Sequence, residues 1–217
     1  MQDDNWELIN GPAAHDIEFL NQSNQVNIIE SCLKLYLTLL GIGENGCPRA
    51  PTPKILLELH RAGTLFLLNE PGEYRREYDV QVFAPDGTVV HDPPKWREVA
   101  GHMDNFYAAL DDVWVASSPI DVAAFVLWRV NWVHPFRNGN GRSARALSYL
   151  CLCLKYGFLL PGERTILDLI MTKRREYEAA LKAADDTLSA TGNADLTAMR
   201  ALLVNLLVDQ LESIPEP

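Results

Sequence analysis

His134-Pro135-Phe136-Arg137-Asn138-Gly139-Asn140-Gly141-Arg142-Ser143-Ala144-Arg145 places a proton acceptor, two glycines and two spaced arginines in one short stretch. His134 is the only side chain in it that accepts a proton near neutral pH without a large pKa shift. Gly139 and Gly141 permit torsions closed to other residues and bracket Asn140, so several backbone N–H groups can converge on one anion-binding concavity. Downstream, Ala144, Leu147, Ser148 and Cys151 recur at helical spacing. The concavity therefore opens onto a helix N-terminus, where the dipole and unpaired N–H groups favour phosphate. Arg142 and Arg145 lie three apart in the first turn, on one face, where a cation opposes the dipole. An anion shared by both would remove that conflict. A plain Gly/Asn turn between two helices needs none of the other residues.

Outward from this stretch, apolar periodicity predicts helices almost throughout. Ser118-Pro119 opens the helix that runs into the motif, carrying Val122, Phe125, Val126 and Val130. Upstream, Val26, Ile29, Leu33, Tyr36 and Leu40 form one stripe, ended by a Gly/Pro-rich loop from Gly41 to Pro51. A helix from Thr52 to about Leu68 has Pro53 in its first turn. Trp96, Val99, Met103, Phe106, Tyr107 and Leu110 mark another, and two more fall near 166–185 and 195–213. The exception is Tyr78 to His91. Tyr78, Val80 and Val82 alternate with Asp79 and Gln81, Pro85-Asp86-Gly87 is a turn signal, and Thr88, Val89 and Val90 are β-formers, which predicts a β-hairpin.

The 217 residues, 47% hydrophobic, suit one domain with a sizeable core. No apolar run approaches a membrane span, and no signal peptide opens the chain. A net charge of −10 disfavours generic nucleic-acid binding. The one dense basic cluster, Lys173-Arg174-Arg175, reads as a solvated helix face. Cys151 and Cys153, two apart on a helix, diverge, so a disulfide or metal pair is not predicted. A reducing, cytoplasmic setting follows, unless export uses a route without a readable signal. His15, His60, His91 and His102 lack zinc-site spacing and read as surface or core histidines. The tail Pro215-Glu216-Pro217 is expected to fray.

The motif resembles the HxFx(D/E)GNGRxxR signature of Fic-domain proteins of the Fic/Doc family, most of which transfer AMP from ATP to a protein hydroxyl. The resemblance implies a mainly α, compact Fic-like helical bundle with a small β-hairpin flap beside the active site. It would be a single domain: an N-terminal helical extension over 1–50 and a core over 51–214, with diffuse similarity from Ile55 to Leu211. It implies that His134 is the general base, that Phe136 anchors the loop, and that Gly139, Asn140, Gly141, Arg142 and Arg145 bind the phosphates of ATP, Arg145 nearest the terminal one. The flap, with Tyr78, Val80 and Val82, would dock a target protein by strand pairing, preceded by a Pro-Gly-x-x-Arg-like segment at Pro71-Gly72-Glu73-Tyr74-Arg75. Mg²⁺ would accompany ATP. The family usually has Asp or Glu where this chain has Asn138, which offers a carbonyl oxygen without charge and implies a weaker metal ligand. The Doc-type, phosphorylating branch replaces the first glycine and first arginine, both kept here as Gly139 and Arg142.

Many Fic proteins silence themselves with an (S/T)xxxE(G/N) helix whose glutamate pairs with the second motif arginine. The nearest match is Ala14-His15-Asp16-Ile17-Glu18-Phe19, which makes Glu18 the candidate inhibitory residue. Glu30 fits less well. Inhibition by a separate antitoxin-like protein, self-association, or no inhibition at all remain open at this level. So do the moved group (AMP, another nucleotide, phosphate or phosphocholine) and a nucleotide-binding regulator with weak catalysis, which Asn138 motivates and His134 opposes.

Overall fold

The computed structural model describes residues 7–9, 11–38 and 48–215. The expected loop at 41–47, Leu40 and the last two residues lie outside them. The described residues form a helical bundle with one two-stranded antiparallel sheet. The helices are α1 (Pro12–Thr38), α2 (Pro53–Thr64), α3 (Val99–Ala116), α4 (Pro119–Val133), α5 (Asn140–Tyr156), the single turn α6 (Ile166–Leu169), α7 (Arg174–Thr191) and α8 (Thr197–Glu212). The strands are β1 (Val82–Phe83) and β2 (Val89–His91).

The bundle is built around α5. Its Ala144, Leu147, Leu150, Cys151, Cys153 and Leu154 are wholly buried, so this helix is apolar on nearly every side. It packs on α4, α2, α1 and α6, and the α4–α5 contact is the most extensive in the molecule. Burial pushes the Cys153 thiol up to about 11 and the Cys151 thiol up as well, so both behave as inert apolar groups. The α4 helix starts in a capping box: Ser118 Oγ accepts from the Asp121 N–H at 3.2 Å and Asp121 Oδ2 accepts from the Ser118 N–H at 3.3 Å, with Pro119 in the first turn. Gly157, at φ 83°, closes α5 with its N–H on the Cys153 and Leu154 carbonyls.

Several elements differ from the pattern-based expectation. The helix expected to reach Leu68 stops at Thr64, because the chain turns through Phe66 at φ 61° and the Leu67 and Leu68 N–H groups fold back on the Thr64 carbonyl. The helix expected over 166–185 is two pieces, α6 and α7. On α1 the inward stripe runs through Asn21 and Gln25, not Val26, which is half-buried. Asn21 Nδ2 donates to the Leu65 carbonyl at 2.8 Å and Gln25 Nε2 to the Leu59 carbonyl at 2.9 Å. Two amides thus occupy core positions because they donate to backbone carbonyls, one within α2 and one just past its end, a job apolar periodicity does not register. The hairpin is also shorter than read: Tyr78 and Val80 lie in the segment leading into it, and a register shift beside Phe83 interrupts the ladder. Its turn is closed by the Ala84 N–H on the Thr88 carbonyl and by Asp86 Oδ1 accepting from the Thr88 N–H.

Candidate active site

The α4 helix ends at His134, which takes the left-handed conformation at φ 51°, ψ 57°. The last four carbonyls of a helix have no partner within it. Here each is claimed. The Val130 carbonyl accepts the His134 N–H at 3.0 Å, and the Asn131 carbonyl accepts from His134 Nδ1 at 3.2 Å. The Trp132 carbonyl accepts from His91 Nε2 at 2.8 Å, and the Val133 carbonyl from Arg75 Nη2 at 3.5 Å. Arg75 also donates through Nε to the His134 carbonyl at 2.8 Å, through Nη2 to the Pro94 carbonyl, and through its backbone N–H to the Pro135 carbonyl at 2.8 Å. Its side chain is wholly buried. This end of α4 is therefore latched by a cation suited to the negative pole of the dipole.

The latch decides the chemistry of His134. A carbonyl oxygen can only accept, so Nδ1 carries the proton and Nε2 keeps its lone pair. Burial pushes the imidazole down to about 4; the Asn131 carbonyl opposes this, and the charges of His91 and Arg75 add to it. His134 is neutral at physiological pH, and Nε2 is available as an acceptor.

The loop beyond is clamped from inside. Phe136 is wholly buried and stacks on His60 with ring centroids 3.7 Å apart and planes 9° from parallel. His60 Nδ1 accepts from the Gly72 N–H at 2.7 Å, so Nε2 is protonated and donates to the Asn138 carbonyl at 2.9 Å. Burial, aided by the Arg142 and Arg61 charges, pushes His60 down to about 4. The Asn140 side chain closes the loop on the Phe136 backbone, accepting its N–H and donating to its carbonyl, each at 2.8 Å. Gly139 caps α5 at φ 76°, and a Cβ there would lie 2.6 Å from Thr64 Cγ2. The first turn of α5 thus presents backbone N–H groups with no side-chain cap.

A cavity of about 480 Å³ adjoins this turn. His134 and Gly141 form its floor, the flap residues Val82, Phe83 and Val90 one wall, and Tyr177, Lys182 and Asp185 of α7 the other. On the opposite side of the turn a smaller cleft of about 170 Å³ runs between Arg142, Asn138, Glu7 and Glu18.

Residues 50–152 match the model of the Fic/DOC family. Over these residues the chain is similar to Fic domains. Fic/DOC proteins are a transferase family. Solved structures of the same fold include a Fic-domain-containing signalling protein from Bacteroides thetaiotaomicron (TM-score 0.68, 19% identity, 94% of this chain and 73% of that one). A Fic family protein from Desulfovibrio desulfuricans aligns over 94% of this chain and 54% of its own, at TM-score 0.64 and 21% identity. Fic-1 from C. elegans aligns over 94% and 51%, at TM-score 0.61 and 22% identity. The chain spans about half the length of the last two.

The motif residues are gathered as a unit, but two expectations are corrected. Arg142 and Arg145 do not face one shared anion site. Arg142 turns to α1 and α2, donating to the Gly63 carbonyl at 3.1 Å and pairing with Glu18 at 3.2 Å. Arg145 turns to the Tyr177 hydroxyl on α7 and lies against Gly141. Glu18 therefore reaches the first motif arginine, not the second. The α1 stripe explains it: Glu18, Asn21 and Gln25 fall on the helix face turned to α2 and α5. The Asn140 side chain is spent on Phe136, so what it can offer a phosphate is its backbone N–H. Asn138 is exposed; its Oδ1 accepts from the Gly139 N–H at 2.6 Å and its Nδ2 faces Glu7 at 3.4 Å. Tyr78 lies under the Arg137 guanidinium, 4.0 Å from ring centre to Cζ. Lys173, Arg174 and Arg175 are exposed as expected, and Arg174 also lines the large cavity.

Sequence reasoning named Arg75 only as part of a segment and read His60 and His91 as ordinary histidines. Each acts through backbone carbonyls far away in sequence, and no local pattern encodes that. Among the described residues no group of three or more His, Cys, Asp or Glu side chains could hold a metal ion, and no helix is long and apolar enough to cross a membrane.

Proposed function

We propose that this domain transfers AMP from ATP to a Ser, Thr or Tyr hydroxyl of a target protein, with His134 as general base. The observation that carries this reading is the bare Nε2 of His134, held by the Nδ1 bond to Asn131, beside an uncapped helix N-terminus. In the transfer, Nε2 takes the hydroxyl proton as the oxygen attacks the α-phosphorus. The new P–O bond replaces the bond to the β-phosphate, and pyrophosphate leaves. The N–H groups at the start of α5 hold the phosphates as charge develops, and Arg145 adds a cation. The cavity between flap and α7 accepts the nucleoside, its apolar wall from Val82 and Phe83. The target lies along β1, whose outer edge has no strand partner among the described residues.

The residues at position 138 do not fit a Mg²⁺ site. Mg²⁺ favours one or two carboxylates, whereas Asn138 is neutral and its oxygen already accepts from Gly139. In this reading Mg²⁺ arrives on the phosphates of ATP. The same observation favours a second reading, a nucleotide-binding regulator with weak catalysis. A gain in rate of about threefold or more in Asn138→Asp supports a metal-limited enzyme; nucleotide binding without turnover in both proteins supports the regulator.

The test uses cell lysate, Mg²⁺ and ATP labelled at the α- or the γ-phosphate. Labelling of protein from the α-label only, lost in His134→Ala, supports AMP transfer. Labelling from the γ-label makes the protein a kinase-like relative instead.

A further inference from the structure

His91 is the last residue of β2, and its side chain is 16% exposed. Its two ring nitrogens meet two acceptors from two different helices. Nε2 lies 2.8 Å from the Trp132 carbonyl of α4, and Nδ1 lies 3.2 Å from Asp185 Oδ2 of α7. Neither oxygen can donate. A neutral imidazole has one N–H and satisfies only one of them; the imidazolium satisfies both. The other Asp185 oxygen accepts from Trp128 Nε1 at 2.9 Å, so the carboxylate is fixed from behind. The Trp132 carbonyl belongs to the last turn of α4, whose dipole favours a cation.

We propose that the charged His91–Asp185 pair is a latch that holds the flap against the end of α4 and so positions the wall of the cleft that His134 faces. His91 joins three elements at one point: the flap, the helix that ends in His134 two residues beyond Trp132, and the α7 wall of the cavity. Its ring lies 6.4 Å from that of His134, centroid to centroid. Its action is on the placement of β2, because its own nitrogens are both occupied. The charged groups around it are Asp185 on α7 and Asp92 next in the chain, with the neutral His134 at the end of α4 and Arg174, Glu178 and Lys182 lining the same cavity. Burial pulls the His91 pKa down, but the Asp185 and Trp132 bonds outweigh it and hold it above the ordinary value. A group with a raised folded pKa stabilises below its unfolded pKa and loses that contribution as pH rises through the folded one. The latch therefore closes at lower pH and loosens on the alkaline side.

The latch itself does not depend on what reaction the cleft performs; its effect on turnover rests on the proposed AMP transfer. The first measurement is hydrogen exchange of the amides of residues 82–91, as protection factors between about pH 5.5 and about pH 8.5, in wild type, Asp185→Asn and His91→Gln. Asp185→Asn keeps an oxygen for Trp128 but turns an NH2 donor toward His91 Nδ1 in place of the charged acceptor. Wild-type protection should fall about tenfold or more across the range, while both variants should be lower at acid pH and flat. Equal protection factors in all three proteins at every pH would overturn the proposal, as would a wild-type His91 that titrates below its ordinary value by NMR. The second measurement is the pH profile of protein labelling. A raised KM for the target and a missing alkaline limb in both Asp185→Asn and His91→Gln support positioning. A pH-dependent latch without labelling in any protein leaves the latch standing and defeats the AMP-transfer reading.

Discussion

Two helix ends face each other across the loop 134–139, and they are finished in opposite ways. At the carboxyl end of α4 every last-turn carbonyl has a donor, supplied by His134 itself, His91 and Arg75. At the amino end of α5 no side chain caps the turn, and the nearest arginine is held by a carboxylate from α1. One end is closed and the other open. The closed end fixes a proton acceptor; the open end leaves donors for an anion. The same backbone rule, that helix termini carry orphan groups, yields a base where the orphans are satisfied and a binding site where they are not.

The comparison breaks most visibly if the closed end is opened. Arg75→Met strips donors from the Val133, His134 and Pro94 carbonyls and should cost about 3 kcal/mol or more, read by denaturant unfolding. A cost below about 1 kcal/mol would mean the latch is ornamental. Next in size is Gly139→Ala, which forces a left-handed alanine against Thr64 and should cost about 2 kcal/mol. Adding Thr64→Ser removes the clashing methyl while keeping the hydroxyl on the His60 carbonyl, 2.7 Å away. That double variant should recover about half of the loss; no recovery would assign the whole cost to the backbone.

The clamp also predicts a pH dependence. His60 and His134 both fold with pKa values near 4, below the ordinary value of 6.5. Between those values the unfolded chain binds more protons, so stability falls as pH drops from 6.5 through about 4. Unfolding free energy measured against pH should slope less steeply over that window in His60→Gln; parallel slopes would contradict the buried neutral imidazole.

The smallest effect on stability belongs to the open end. Glu18 is 41% exposed on its side chain, so Glu18→Gly should weaken the fold through the lost ion pair by less than about 1 kcal/mol. It should nonetheless raise self-labelling with ATP, because Arg142 is released. Unchanged labelling would show that the Glu18–Arg142 pair does not compete with nucleotide.

What could be read in the sequence divides along the same line. The open end is written locally: Gly139, Asn140, Gly141 and the helical repeat after them announce an uncapped N-terminus with no tertiary information. Most helices were legible for the same reason. The closed end is written across the chain. Arg75, His60 and His91 lie far upstream of the carbonyls they serve, and a donor to a distant backbone oxygen leaves no periodic trace. Asn21 and Gln25 on α1 were missed likewise, being polar residues at core positions. The direction of the two arginines depended on which helices pass the first turn of α5, a fact of packing that their spacing of three does not contain.

The tautomer of His134 links the helix end to the chemistry, and ¹⁵N NMR of its imidazole near neutral pH reads it directly. The closed end predicts a protonated Nδ1 and a bare, pyridine-like Nε2 that picks up a proton only toward pH 4. A protonated Nε2 with a bare Nδ1, or an imidazolium at neutral pH, would mean that the end of α4 does not set the base, and the link from helix end to chemistry would fail.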